Sequence, residues 1–319
     1  MGGPAISVSI LNYQRRETLA RCLERILAQD HPGFETLVVD NASTDGTGET
    51  LENLSGETDR TLRVVREETL GLSTARNTGF ENASGRVVIF LDDDATPWRD
   101  WLPRLLHPFQ DDAVYAAGGP VRPAFATPLP DWFSDRFLPY LTVWDLGPEV
   151  VELRYNEYPR GANMAFRREV FDRFGFFSPH LGRKARSLLS CEEIELCLRI
   201  ERGGGSILYV PEAGVDHRVE GDRVSPEWLR SRFRSQGTSE AIVEWQHAGF
   251  RGLAIGLKRS LRRAAASSRA QDPEQRLVSA CERATARGYL LGMISAPVKI
   301  PRYRPAPEAG PAAAWEPFR

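Results

Sequence analysis

Arg86-Val87-Val88-Ile89-Phe90-Leu91-Asp92-Asp93-Asp94 runs five apolar residues directly into three carboxylates. An unbroken apolar run rich in Val and Ile predicts a strand buried on both faces, the kind found in parallel sheets covered by helices. The aspartates then fall at the strand's C-terminal end, the edge where open α/β sheets bind ligands. Side by side, they raise one another's pKa unless a cation compensates. Oxygen donors favour Mg2+ or Mn2+ over zinc, and such ions commonly share coordination with substrate phosphates. Aspartates that merely cap the next helix would explain one of the three comfortably and all three poorly.

Upstream, short β-rich runs alternate with helical patterns, which predicts βαβ units. Strands are expected at 5–11, 36–40 and Leu62–Arg66. Between them lie a helix with Leu19, Cys22, Leu23, Ile26 and Leu27 on one face, a second containing Leu51 and Leu54 after the polar loop 41–47, and a third around 75–83. Downstream, Thr96-Pro97 reads as an N-cap followed by Pro at the first helical position, with Trp101, Leu102, Leu105, Leu106 and Phe109 as a buried stripe. Trp98 and Trp101 are read as core. Residues 120–159, rich in Pro and aromatics, read as a long, partly irregular insertion. Helices are expected at 166–174 and 192–201, and a strand at 207–210 stopped by Pro211.

The chain has 319 residues, 41% of them hydrophobic, with 41 basic against 43 acidic side chains. Such a composition describes a soluble globular protein and excludes disorder as its main state. A net charge of -2 supplies no global field for nucleic acid or lipid, so any such contact is local. Cys22, Cys191, Cys197 and Cys281 form no CxxC pair and are too sparse for a disulfide scaffold, which fits a reducing cytosol. The N-terminus lacks the pattern of a secretory leader and no segment is long and apolar enough to span a bilayer, so a cytoplasmic protein is expected. From about Gly249 the composition shifts to Ala and Arg, with Lys258, Arg259, Arg262 and Arg263 close together, and the chain ends in a Pro/Ala-rich tail. That stretch reads either as a solvated helix packed on the main domain or as a basic amphipathic helix resting on an anionic membrane surface at the inner face.

Two further sites carry possible chemistry. His217, in Val215-Asp216-His217 after a predicted strand, offers one imidazole, although a lone histidine is more often structural. Ser190-Cys191-Glu192-Glu193-Ile194-Glu195-Leu196 places carboxylates at a helix mouth, where one can act as a general base. The same spacing, Ser190 with Glu193 three residues on, is a capping box.

In order and spacing, residues 5–240 resemble family 2 glycosyltransferases of the GT-A fold. Val8-Ser9-Ile10-Leu11-Asn12-Tyr13 and Val38-Val39-Asp40-Asn41-Ala42-Ser43-Thr44-Asp45-Gly46-Thr47 are similar to that family's nucleotide-binding start. Gly71-Leu72-Ser73-Thr74-Ala75-Arg76-Asn77-Thr78-Gly79 resembles its Gly-x-x-x-Ala-Arg-Asn-x-Gly segment, and Phe90-Leu91-Asp92-Asp93-Asp94 its DxD motif. Gly161-Ala162-Asn163-Met164-Ala165-Phe166-Arg167-Arg168 resembles the stretch lining the sugar and acceptor side. Glu192-Glu193-Ile194-Glu195-Leu196 stands where the family has Glu-Asp-x-Glu/Asp-Leu, with Glu193 in place of the usual Asp.

The resemblance implies a Rossmann-like, mostly parallel sheet flanked by helices: a catalytic domain at 1–245, divided into a nucleotide-binding half (1–119) and an acceptor half (120–245), a helical extension at 246–300 and the tail at 301–319. It implies an inverting transferase that moves a sugar from a nucleoside-diphosphate sugar, expected to be a UDP-sugar, to an acceptor hydroxyl with Mn2+ or Mg2+. Leu11, Tyr13, Asp40, Arg76, Asp92, Asp93 and Asn163 would hold the donor, with Asp40 on the base and Tyr13 against its face. Asp94 and His217 would hold the metal, and Glu193 would be the base. The acceptor would be a carbohydrate, a lipid-linked sugar or a small molecule. Loop 178–189, with Gly182, Arg183 and Arg186, is either a lid or a plain surface loop, and Arg230, Arg232 and Arg234 either reach the diphosphate or are simply solvated. Two other readings compete. Asp92-Asp93-Asp94-Ala95-Thr96 satisfies the DxDxT pattern of haloacid dehalogenase-like phosphatases, with Asp92 as nucleophile and Lys184 as the later lysine. A non-catalytic nucleotide-sugar binding module would follow if the glutamate had abolished turnover.

Overall fold

Val8 and Ile10 lose all contact with solvent because their strand is paired on both sides and covered on both faces. The computed structural model describes residues 6–57, 61–155, 157–185, 187–266 and 272–303. The first third is a run of βα units: β1 (Ile6–Asn12), α1 (Arg16–Leu27), β2 (Phe34–Asp40), α2 (Thr47–Glu57), β3 (Leu62–Arg66), α3 (Leu72–Asn82) and β4 (Val87–Asp92). There follow β5 (Ala95–Pro97), α4 (Trp101–Leu106), β6 (Val114–Gly118), β7 (Val121–Phe125), β8 (Val151–Glu152), β9 (Asn163–Arg167) and α5 (Glu169–Phe174). The chain closes with α6 (Glu192–Arg202), β10 (Ser206–Tyr209), β11 (Val215–Val219), α7 (Pro226–Ala266) and α8 (Pro273–Lys299).

Eight strands form one sheet in the order β3-β2-β1-β4-β9-β6-β10-β8. The β3-β2-β1-β4 half is parallel, β9 runs antiparallel between β4 and β6, and β10 is again parallel to β6. The chain leaves β1 toward β2 and returns on its other side as β4, which makes the β1/β4 edge the switch point of the sheet. One face is packed by α1 and α4 through Leu19, Leu23, Ile26, Trp101 and Leu105. The other is filled by an aromatic cluster in which Phe90 meets Phe166 and Phe177 edge to face. A small second sheet, β5-β11-β7, lies beside the C-terminal end of β4.

Two local expectations are corrected. Thr96-Pro97 does not start a helix but ends β5, because β11 offers a ladder partner that no local pattern reveals, and α4 begins at Trp101. Phe166 and Arg167 belong to β9, where Phe166 pairs with Val88, and α5 starts only at Glu169. Residues 120–159 contain β7, a 3-10 turn at Asp135–Leu141 and β8 among irregular chain.

At the C-terminus, α7 breaks at Gly249, whose φ of 59° and ψ of -145° are non-helical. The two arms fold back on one another: Arg259 in the second reaches Glu240 (3.2 Å) and Glu244 (2.8 Å) in the first. α8 lies along the first arm so closely that a Cβ on Gly237 would sit 2.0 Å from the Thr285 carbonyl oxygen, and one on Gly288 1.8 Å from that of Arg234. Only glycine allows backbones to approach so far. The boundary expected at 245 falls inside this first arm. The tail beyond 303 lies outside the described residues.

Candidate active site

Parallel pairing sets Leu11 beside Asp92 and Asn12 beside Asp40, so the ends of β1, β2 and β4 form one rim. Above it opens a cavity of about 280 Å³. Leu11 and Tyr13 border it from the β1 end, Arg76 from α3, the aspartate triplet from β4, Glu193 from α6 and His217 from β11. His217 arrives there because β11 pairs antiparallel with β5, His217 opposite Ala95, while the Arg218 N–H donates to the Asp94 carbonyl at 2.8 Å. Residues more than a hundred apart in sequence thereby meet.

The three aspartates are unlike in their partners. Asp92, partly exposed, receives Arg76 at 3.5 Å. Buried Asp93 receives Arg15 at 3.0 Å. Buried Asp94 is held by Arg15, by Arg223 at 3.2 Å and by His217 at 3.3 Å. Burial and the neighbouring Asp94 charge push Asp93 up to about 8, with Arg15 opposing. Burial also works to raise Asp94, but His217, Arg15 and Arg223 outweigh it and hold that carboxyl well below the usual range. Asp92, Asp94 and His217 each bring a ligand atom within 4.8 Å of the others. Asp94 Oδ1 is buried and meets only the His217 Nε2 contact at 3.3 Å without a well-aligned hydrogen bond, and His217 Nδ1 is buried without a hydrogen-bond partner. Two carboxylates and an imidazole with unspent lone pairs fit a divalent cation.

Across the cavity, the mouth of α6 is not capped by Ser190. The Ser190 hydroxyl donates to Gln236 of α7 at 2.9 Å and its N–H to Ser239 at 3.0 Å, and Cys191, at a φ of 71°, takes the N-cap position without a side-chain capping bond. The capping box is therefore not formed, because a tertiary partner claims the serine. The three glutamates that follow diverge. Glu192 accepts from the fully buried Arg76, which also donates to the Gly161 carbonyl at 3.2 Å just before β9 and, through Asp92, ties α6 to the aspartate strand. Glu195 faces inward onto Arg199 (2.7 Å) and His247 (2.8 Å); burial opposes, but the Arg199 charge and the His247 hydrogen bond draw it down to about 2. Glu193 keeps a buried Oε2 with no partner. Burial and the Glu192 charge push it up to about 7, against Arg76. A carboxylate of that basicity is poised for proton transfer near neutral pH.

Two expected donor residues are placed elsewhere. Asp40 is buried at the rim but does not border the cavity: one oxygen accepts the Ser43 N–H at 3.2 Å and the other Arg66 at 3.0 Å. Asn163 is fully buried in a structural knot, accepting from the Trp101 indole at 2.9 Å and donating to the Pro120 (3.3 Å) and Ala213 (2.7 Å) carbonyls. Four arginines beyond the expected donor residues, Arg15, Arg183, Arg223 and Arg232, border the cavity. Of the alternating arginines only Arg232 reaches it, and Arg230 and Arg234 are exposed. Loop 178–189 does reach the cavity, through Arg183, Ala185, Leu188 and Leu189, and Arg186 lies outside the described residues. Burial and the neighbouring Arg223 and Arg232 pull Arg183 down to about 9. Arg15 had a signal in sequence, two residues after Tyr13 on the loop leaving the first strand. Arg223 had none, since its approach depends on β11.

A parallel sheet with acidic residues at its switch point, joined by a histidine from a small second sheet, is the architecture of GT-A glycosyltransferases. A solved structure with this fold is "Mannosyltransferase PcManGT from Pyrobaculum calidifontis in complex with GDP-Man and Mn2+", at a TM-score of 0.57 and 20% identity over 94% of this chain and 76% of that one. The chain belongs to glycosyl transferase family 2, whose family model matches residues 7–175. It is 31% identical over 250 residues, 75% of this chain and 77% of the relative, to glucosyl-dolichyl phosphate glucuronosyltransferase of Haloferax volcanii. It is 30% identical over 252 residues, 77% of each chain, to the succinoglycan biosynthesis protein ExoM of Rhizobium meliloti. Family membership makes the chain a glycosyltransferase and overturns the phosphatase reading. Lys184, which that reading needs, is exposed and does not border the cavity. Among the described residues no helix is long and apolar enough to cross a membrane.

Proposed function

We propose that this chain transfers a sugar from a nucleoside-diphosphate sugar to an acceptor hydroxyl with inversion, Asp92, Asp94 and His217 holding Mn2+ or Mg2+ and Glu193 acting as base. The observation that carries this reading is the pairing, within one cavity, of a three-ligand cluster with a buried carboxylate whose free oxygen has no other use. The bound ion would supply Lewis-acid neutralisation of the departing diphosphate. Arg15 and Arg223, already on the aspartates, add positive charge where the diphosphate must lie, and the exposed face of Tyr13 offers a surface for the base. Glu193 takes the proton from the acceptor hydroxyl as it attacks. Glu192 is committed to Arg76, so the α6 mouth offers one free carboxylate, which supports single displacement over a two-step route through a glycosyl-enzyme. The raised basicity of Glu193 speaks against a module that binds but does not turn over.

The relatives' names include a lipid-linked and a polysaccharide pathway, so the acceptor is proposed as a carbohydrate or lipid-linked sugar, with small molecules as the remaining class. We propose the cytoplasm or the inner membrane face as the location of the reaction. Thermal shift with UDP- and GDP-sugars, with and without Mn2+, tests the donor half, because a ligand that binds only the native state raises apparent stability. A rise that needs both nucleotide and metal, and vanishes in Asp94→Asn, is expected; unchanged nucleotide affinity in that variant sinks the metal assignment.

A further inference from the structure

The far end of the C-terminal helices exposes apolar side chains that the reaction does not use. Phe250 is 73% exposed, Ile294 69% and Val298 83%. They share one end of the bundle. Trp245 touches the Phe250 ring at 5.1 Å between centroids, and its indole N–H donates to the Ile300 carbonyl at 2.7 Å. Ile294 and Val298 lie on the two α8 turns that lead to Ile300. Cations surround them: Arg251 and Lys299 are exposed neighbours, and the exposed Arg302 guanidinium lies against the Gly249 turn. Between 246 and 303 the sequence holds only three acidic residues, Asp272, Glu274 and Glu282, all near the start of α8 at the opposite end. Glu240 and Glu244 in the first arm are turned inward onto Arg259.

We propose that this end of the bundle, with Phe250, Ile294 and Val298 ringed by Arg251, Lys299 and Arg302, docks on an anionic lipid surface. The inference deepens the membrane-face half of the proposed location and is independent of the reaction chemistry. Apolar groups within a cationic collar match a bilayer that is apolar inside and negative at its surface, the combination by which interfacial helices bind. A second copy fits less well, since an isologous contact sets the same cations against one another. Arg232 borders the cavity in the same arm, 17 residues before Gly249, so the reaction would lie roughly 25 Å of helix from the docking surface.

Flotation of the full chain with phosphatidylcholine vesicles, with or without phosphatidylglycerol, tests this directly. The protein should float with the anionic vesicles, weaken as salt rises, and lose at least tenfold in partitioning when Phe250, Ile294 and Val298 are each changed to Ser. The stabilisation of that variant by UDP and Mn2+ should equal the parent's, which separates loss of docking from loss of fold and from failure of the donor site. Equal flotation of parent and variant overturns the assignment. So does a dimer in sedimentation that the variant abolishes without any vesicle binding, or binding that emerges only when residues 304–319 are removed.

Discussion

Glu193, the proposed base, is the carboxylate left free at the α6 mouth: Arg76 holds Glu192, while Arg199 and His247 hold Glu195. Glu193→Gln should therefore retain donor binding and lose transfer by a factor of ~10² to 10⁴, the usual worth of a positioned base. Turnover against a soluble acceptor should rise about tenfold per pH unit up to about 7 and then level, because Glu193 acts as a base only once ionised. A flat profile between pH 5 and 8 would count against it. Stability runs the other way. A carboxyl raised from 4.5 to about 7 on folding contributes most below its unfolded value and loses that contribution as pH rises through 7. Glu193→Gln has no charge to bury, so at pH 8 it should be more stable than the parent, on the order of 1 kcal/mol or more, with the gap closed at pH 4. A variant that melts earlier at pH 8 would mark Glu193 as a structural residue after all.

Strands and helices, taken one at a time, were legible in sequence wherever their burial was decided by their own periodicity. The strand that became β4 was readable because every residue from Val87 to Leu91 is buried, and β3 because its Val64-Val65 pair is bounded by arginines on both sides. Thr96-Pro97 misleads for the opposite reason: its local signal is a helix start, while a partner more than a hundred residues away makes it β5. Ser190 misleads in the same way, its hydroxyl drawn off by Gln236. Asn163 shows what motif resemblance leaves unresolved, since it gives the residue and not the direction its amide faces. That amide joins α4, β9 and the chain before β7 and β11, so Asn163→Ala should cost about 1–3 kcal/mol in urea unfolding, the penalty of leaving buried partners unmade, with donor KM nearly unchanged. A large rise in KM at undiminished stability would restore it to the donor site. Arg76 is a sharper case of an element-joining residue. Its removal in Arg76→Ala strands the buried Glu192, and the expected cost is about 3–5 kcal/mol.

Over the molecule as a whole, the family match ends at residue 175, yet the base helix is positioned by chain well beyond it. Gln236 and Ser239 of α7 hold Ser190 just before α6, His247 hydrogen-bonds Glu195, and α8 seals the first arm through Tyr289, whose hydroxyl contacts Glu244. These contacts tie the C-terminal helices to α6 and its preceding turn. Calorimetry of the full chain should accordingly show one cooperative transition, with calorimetric and van't Hoff enthalpies in agreement. A chain ending at residue 245 loses His247, the whole second arm and α8, leaving Glu195 short of one buried hydrogen-bond partner and exposing the face that Leu253, Cys281 and Tyr289 now cover. Such a chain should melt well below the parent or aggregate, and any folded fraction should bind UDP and Mn2+ through the intact β1/β4 edge while transferring little, because the α6 mouth is no longer held. Two separate transitions in the full chain, the first of which leaves transfer intact, would instead mark the helices as an independent domain.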